Sequence, residues 1–407
     1  MTDRPNVFLV VVDSLRADAL GESLTPNLHR LGESGATFTQ AVSTCTTTTP
    51  SFSSLLTGCY PPKHGVRSLR GNRLAPSVTT MAEAFSAAGY NTYAEVTGPL
   101  IEQTGVLRGF AHPRHRQAQR NRSFLRWRGD VLEAMASFEP PWLCLLHVWE
   151  VHRPYRSAPG EPPRNHSKGY RAAVAAMDAG LGPVIDAAGA DTLTVVTGDH
   201  GEDYPNSWAG MAAHAALRRS RLKLRLERWL PALDEALAGR EVGHGFGLFE
   251  HLVRVPLILA GPAIPSCVVT AQARHVDLFP TLADLCDVAV PEGVDGRSLV
   301  PLLAGGAFEE EPAYMEAVGM KRRDNRLAAV RTRQWKLLVA DGKQPRLHRL
   351  TGERAAEKKD LSARFPEVAR DLHAFMQRVQ AGDRERSALS PEEEAVIEEN
   401  LRALGYL

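Results

Sequence analysis

No CxxC pair occurs in this chain: Cys45, Cys59, Cys144, Cys267 and Cys286 are scattered and odd in number. That spacing excludes zinc-ribbon and dithiol redox motifs and reads as reduced thiols in a cytoplasm. A long apolar run is missing too. The N-terminal "NVFLVVV" is far too short to span a bilayer, and no small-residue cleavage site follows it. Neither a signal peptide nor a transmembrane helix is therefore read, and a cytoplasmic location is expected. There is no excess of charge of one sign, because 23% charged residues sum to a net charge of +1. Bulk charge thus names no polyanionic partner, nucleic acid included. Internal repeats and long low-complexity tracts are absent as well.

What the sequence does contain is an alternation of strand and helix patterns. "NVFLVVV", Asn6 to Val12, is a continuous β-branched and apolar run, the pattern of a strand buried on both faces. "TPNLHRLGESG" follows with a capping threonine, a proline at the first helical position and a closing glycine. Helix "TTMAEAFSAAG", strands "NTYAEV" and "WLCLLHV", helix "YRAAVAAMDAGLGPVIDAAG", and strands "TLTVVTG" and "VPLILAG" continue it. The expected fold is α/β, a large, mostly parallel sheet sandwiched by helices, with ligands beyond the carboxyl ends of the strands. From about Ala313 the pattern changes to "LAAVRT", "WKLLVA" and the charged helical run "FPEVARDLHAFMQRVQ". A catalytic domain over 1–312 and a smaller C-terminal α+β subdomain over 313–407 are expected, with a helical insert at about 203–242.

Three candidates for chemistry lie at strand ends. Asp13 closes the first strand, and "TGDHGED" puts Asp199 and His200 at the end of another. Carboxylates and imidazole at neighbouring strand ends converge, and an O/N set of this kind suits Zn²⁺ or Mn²⁺. A run of four threonines, Thr46 to Thr49, precedes Pro50 and the helical "SFSSLLTG". A hydroxyl there lies at a helix N-terminus, where an alkoxide facing a metal would be a stabilised nucleophile. Residue chemistry alone does not choose among the four, and cap or turn duty is what such a run usually means.

Nine pieces in order make the chain resemble the alkaline phosphatase superfamily, and within it the sulfatase-like branch. They are "NVFLVVVDSLRADALG", "TPNLHRLGESGATFTQAVS", "TTPSFSSLLTGCYPPKHGV", "AEAFSAAGYNTYAEV", "HVWEVHRPY", "VVTGDHGED", "HGFGLFEHLVRVPLILAGP", "RHVDLFPTLADLCDVAVPEGVDGRSLVPLLAG" and "LRALGYL". The resemblance implies that Asp13, Asp199 and His200 bind metal. It also implies that Thr48, two residues before the proline and seven before "LLTG", is both a metal ligand and the nucleophile of a covalent ester. His152 and His244 match histidines that bind the transferring group or a second metal, or protonate the leaving group. Glu150 sits where relatives often have Asp; His64 reads mainly as a brace for the nucleophile loop. One or two ions are implied, with Glu150, His152, His244 and His64 as candidates for a second metal or for substrate.

Departures from the family pattern narrow the chemistry. Sulfatases carry Cys or Ser in "C-x-P-S-R" for oxidation to formylglycine, whereas this chain has Thr48 and, at the arginine position, Phe52. Ser14 and His200 replace a second aspartate and an asparagine, as in phosphoryl-transfer members. The resemblance thus implies a metal-dependent hydrolase of phosphate mono- or diesters or of phosphonate esters. The alternatives carried beside it are a cytoplasmic biosynthetic transferase, a sulfate-ester hydrolase without formylglycine and an inactive scaffold. Its substrate would be a small anionic ester. Arg218, Arg219 and Arg221, in the basic stretch of the insert, are candidates to contact a distal anionic group. Oligomeric state is left open, a homo-oligomer included.

Overall fold

A computed structural model describes residues 4–116, 124–153, 155, 166–203, 244, 245, 247–318, 326–340, 342–350, 357, 359–382 and 387–404. The basic insert, with Arg218, Arg219 and Arg221, lies outside the described residues. The larger sheet has eight strands: β1 (Asn6–Val12), β2 (Ala36–Val42), β3 (Asn91–Thr97), β4 (His112–Arg116), β5 (Trp142–Val148), β6 (Thr192–Gly198), β7 (Arg254–Ala260) and β8 (Cys267–Arg274). Their spatial order is β4-β3-β5-β1-β6-β7-β2-β8.

Alternating side chains of β1 enter two different cores, as period-2 geometry requires. Val7, Leu9 and Val11 pack with Phe52 and Leu55 of helix Thr48–Thr57, Phe85 of helix Met81–Ala87 and Phe279 of helix His275–Leu285. Phe8, Val10 and Val12 pack on the other face with Leu28, Trp127, Tyr170 and Met177 of helices Pro26–Glu33, Phe124–Met135 and His166–Ala188. Burial on both faces accounts for the continuous apolar runs of β1, β5 and β6.

The parallel expectation holds from β4 to β6, where β3, β5, β1 and β6 pair in parallel. β7 departs from it, running antiparallel to both β6 and β2. The short helix Glu250–Val253 feeds β7 from the same end of the sheet at which β6 finishes, with Gly201 N–H donating to Leu252 O at 2.8 Å. A strand entered from that end can only run back.

A second, antiparallel sheet has the order β12-β11-β10-β9, built from β9 (Ala313–Val318), β10 (Arg326–Arg331), β11 (Trp335–Ala340) and β12 (Arg346–Arg349). Helix Pro366–Ala381 covers it through Leu372 and Met376. This sheet is fastened to the larger one by a buried cluster in which Glu250 accepts from Arg331 and Lys336. The last helix, Pro391–Leu404, instead docks on the large sheet's end, where Ile397 and Leu401 pack with Leu69 and Asn400 donates to Gly98 O at 3.0 Å. Among the described residues no helix is long and apolar enough to cross a membrane.

Candidate metal and nucleophile site

Asp13 and Asp199 are the residues immediately after two adjacent parallel strands, β1 and β6, so they emerge side by side. Ser14 joins them. Its backbone N–H donates to Asp199 Oδ1 at 2.9 Å and its hydroxyl to Asp13 Oδ1 at 2.7 Å. Ser14 stands at φ 61°, a left-handed conformation uncommon outside glycine, which turns the chain sharply after β1. Tyr170 Oη donates to Ser14 O at 2.9 Å and holds the turn from the helix side.

Thr48 is the first residue of its helix, which starts two residues before Pro50 and closes on Gly58 in the left-handed region (φ 65°). Its hydroxyl donates to Asp13 Oδ2 at 3.0 Å. Two hydroxyls, Ser51 and Ser43, donate to Asp199 O at 2.6 and 2.5 Å and so pin the helix and the loop before it to the turn after β6. Of the four threonines, Thr48 is the one whose hydroxyl bonds Asp13.

Asp13, Asp199 and His200 are fully buried and offer ligand atoms that all lie within 4.8 Å of one another. Asp199 Oδ2 and His200 Nε2 are buried without a hydrogen-bond partner. Burial, and after it the charge of Asp13, pushes the Asp199 carboxyl well above its ordinary range. Burial opposes ionisation of Asp13 as well, but the imidazoles of His147, His152 and His200 outweigh it and hold that carboxyl well below its usual range. Two buried carboxylates with such opposed titration, beside orphaned ligand atoms, fit a divalent cation that relieves their repulsion. Mixed oxygen and nitrogen donors suit Zn²⁺ or Mn²⁺.

His152 and His244 meet edge to face, with Nε2 atoms 3.3 Å apart. Burial, opposed by Asp13 and reinforced by His244, lowers His152 to about 4. His244 lies 4.4 Å, ring to ring, from His200, and its Nδ1 is 3.4 Å from Glu202. Burial would raise the Glu202 carboxyl, yet His244 and Arg153 beside it bring it down to about 2. These histidines therefore stand beside His200 at the ligand cluster.

Two other candidates are placed away from the cluster. Glu150 Oε1 accepts from Arg116 at 2.5 Å and from Trp127 Nε1 at 2.7 Å, with the Arg116 guanidinium 3.9 Å above the Trp127 ring. His64 bonds Ser54 of the nucleophile helix at 3.0 Å and accepts from Val66 N–H at 3.1 Å; burial and the Arg67 charge lower it to about 3.

Sequence reasoning passed over His147 and Glu202, although both stand in quoted pieces. His147 faces Asp13 from β5, with Nε2 3.8 Å from Oδ2. It stands near the end of "WLCLLHV", a buried strand beside β1, and that position was a readable signal.

Paired carboxylates and an imidazole at adjacent strand ends, facing a helix-terminal hydroxyl on a two-faced mixed sheet, define the alkaline phosphatase and sulfatase class of α/β proteins. The sulfatase family's sequence profile matches residues 5–288, and the chain belongs to that family. It is 24% identical over 371 residues to an ulvan-active sulfatase of Formosa agariphila, covering 74% of this chain and 65% of that one. Identity is also 24%, over 395 residues, to a Δ4,5-hexuronate-2-O-sulfatase of Bacteroides thetaiotaomicron, covering 77% and 74%. The chain spans about two thirds or less of the length of the first curated relatives it matches. Its fold is similar to the crystal structure of a phosphonate monoester hydrolase of Agrobacterium radiobacter, with a TM-score of 0.70 at 18% identity, covering 94% and 96%.

Proposed function

We propose that this chain is a metal-dependent hydrolase of phosphate mono- or diesters or of phosphonate esters that acts through a covalent ester on Thr48. The observation that carries the reading is the 3.0 Å contact from Thr48 Oγ1 to Asp13 Oδ2 at the edge of the ligand cluster. A divalent ion on Asp13, Asp199 and His200 would supply a lowered hydroxyl pKa and a positive charge for the oxygens of the transferring group.

The chain's own residues do the rest. Asp13 Oδ2 orients the Thr48 hydroxyl, which would lose its proton to solvent under the charge of the bound ion, and Oγ1 attacks phosphorus. Free N–H groups at the start of the helix face the developing negative charge. The phosphorus–oxygen bond to the leaving group breaks, and the departing oxygen takes a proton from His244, which Glu202 faces at 3.4 Å and His152 at 3.3 Å. Water then attacks phosphorus, giving its proton back to His244, and the bond to Thr48 Oγ1 breaks, that oxygen regaining its proton from solvent.

Phosphorus is favoured over sulfur by Thr48, Ser14 and Phe52 together. Phe52 is fully buried, so the position where a formylglycine-type site carries arginine belongs to the apolar core. The phosphonate monoester hydrolase of similar fold lends support, while the names of the curated relatives make sulfate esters the competitor. All five cysteines are free thiols, which supports a reducing compartment. The test is a metal-supplemented screen of chromogenic phosphate mono- and diesters, phosphonate esters and sulfate esters, run beside Thr48→Ala. Phosphorus esters are expected to turn over best and Thr48→Ala to be inactive. Preference for sulfate esters, or full activity of Thr48→Ala, refutes the reading.

A further inference from the structure

Tyr170 is a buried side chain whose hydroxyl the reading above does not use. It lies in helix His166–Ala188, packs with Val10, Val12 and Leu15, and meets the Tyr155 ring edge to face with centroids 5.8 Å apart at 85°. Its Oη donates to Ser14 O and accepts from Arg16 N–H, both at 2.9 Å. One hydroxyl thus staples the chain across Leu15, in the turn that directly follows Asp13.

That turn does not hold its shape unaided. Ser14 stands at φ 61°, a conformation that persists in a residue other than glycine when its surroundings impose it. On its other side the turn lies against the end of β6, where a Cβ on Gly198 would fall 2.5 Å from Leu15 O. Only glycine lets the two chains approach so closely. The approach brings Ser14 between the two carboxylates, where its N–H holds Asp199 Oδ1 and its hydroxyl holds Asp13 Oδ1. Each carboxylate keeps Oδ2 for other duty: Asp13 Oδ2 meets Thr48, and Asp199 Oδ2 makes no hydrogen bond. A shift of Ser14 would therefore turn both carboxylates together.

We propose that Tyr170 is a positioning residue for the divalent ion: through Ser14, its hydroxyl sets how Asp13 and Asp199 face each other and thereby the affinity of the cluster. The inference rests on the metal reading under Proposed function. Groups that orient ligands from outside in this way change metal affinity by about 10–100-fold when they are removed. A tyrosine that only fills the core between β1 and its helix would change stability and leave the ion's affinity alone.

The experiment titrates chelator-stripped protein with Zn²⁺ against a chromogenic competing chelator, for the wild type, Tyr170→Phe and Asp178→Asn. The phenylalanine variant deletes one oxygen and keeps the ring in its place. Asp178 is the control: buried on the same helix, it accepts from the N–H groups of Asn27 and Leu28 at 3.1 and 2.9 Å and so serves the start of helix Pro26–Glu33, not the Ser14 turn. The Zn²⁺ dissociation constant should rise by about tenfold in Tyr170→Phe and stay within about twofold of wild type in Asp178→Asn. A rise below about threefold in Tyr170→Phe, or an equal rise in both variants, overturns the proposal. Near-UV circular dichroism checks folding. Should Tyr170→Phe misfold, exchange of the Arg16 amide hydrogen in the wild type replaces it: coupling is reciprocal, so saturating Zn²⁺ must slow that exchange, and unchanged exchange overturns the proposal. A wild type that binds Zn²⁺ and hydrolyses phosphorus esters, with Tyr170→Phe binding the ion as tightly, would sink this inference and leave the proposed function standing. A wild type that binds no ion would sink both.

Discussion

Replacing Glu250 by glutamine tests how the C-terminal sheet is fastened to the sheet that carries the site. Glu250 opens the short helix leading into β7, and its carboxylate accepts from Arg331 at 3.0 and 2.9 Å and from Lys336 at 3.2 Å. Both cations have side chains no more than 2% exposed. Burial alone would raise the Glu250 carboxyl; Lys336 and Arg331 outweigh it and bring it to about 2, from an ordinary 4.5. That depression corresponds to about 3 kcal/mol of stability at neutral pH. Removing one partner of a buried ion pair costs roughly 3–5 kcal/mol, so two independent routes agree. The folded pKa lies below the unfolded one, so the contribution is complete above about pH 4.5 and fades as the pH falls toward 2. Urea unfolding of wild type and Glu250→Gln, followed by tryptophan fluorescence, should differ by about 3 kcal/mol at pH 7 and by roughly 1.4 kcal/mol at pH 3. A difference below about 1 kcal/mol at pH 7, or one equal at both pH values, would refute the argument.

Two further outcomes follow from the geometry. Stripping the protein with a chelator should lower its melting temperature, and Zn²⁺ or Mn²⁺ should restore it, because an ion at a hundred times its dissociation constant adds about 2.7 kcal/mol to the folded state; identical melting with and without chelator would contradict the cluster of Asp13, Asp199 and His200. Gly35→Ala should destabilise by about 1–3 kcal/mol in the same urea assay, since the added methyl carbon would lie 2.2 Å from Leu259 O, a backbone atom of a central strand. Wild-type stability of Gly35→Ala would show that the start of β2 shifts away from β7 at no cost.

The sequence made some strands readable and hid others for a physical reason. β1, β5 and β6 are buried on both faces, so each reads as a largely apolar run, and a polar residue at or near its end reaches the candidate site: Asp13, His147 or Asp199. β2 and β4 give no such run. β2, "ATFTQAV", is apolar only in part, and β4, "HPRHR", is an exposed edge strand rich in basic residues. Glu150 was nominated for the site because it stands where relatives often have Asp. What decides its direction is Arg116 and Trp127, on β4 and on a separate helix, and no local pattern announces contacts of that range. Thr48 was singled out because the resemblance ties the nucleophile to its distance from Pro50 and "LLTG", which is a local quantity.

The C-terminal sheet is more than an appendage to this site, because it holds both loops that bear the proposed chemistry. β9 extends its edge onto the nucleophile loop: Glu316 N–H donates to Thr44 O at 2.9 Å, four residues before Thr48. On β11, Lys336 Nζ donates to Leu248 O, in the segment that follows His244, while Thr46 Oγ1 donates to Gly247 O at 3.2 Å and ties the two loops to each other. Thr48 and His244 are therefore positioned by contacts with β9 and β11 as well as by the strands of the large sheet. A shift of β11 would move His244 relative to Thr48 before it disturbed Asp13 or Asp199, which hang from β1 and β6. Loosening Lys336 should consequently weaken leaving-group protonation sooner than metal binding, and the two losses are separable by measuring turnover and metal content on the same Lys336→Met protein. Metal loss that runs ahead of turnover loss would place the control of the site in the large sheet alone.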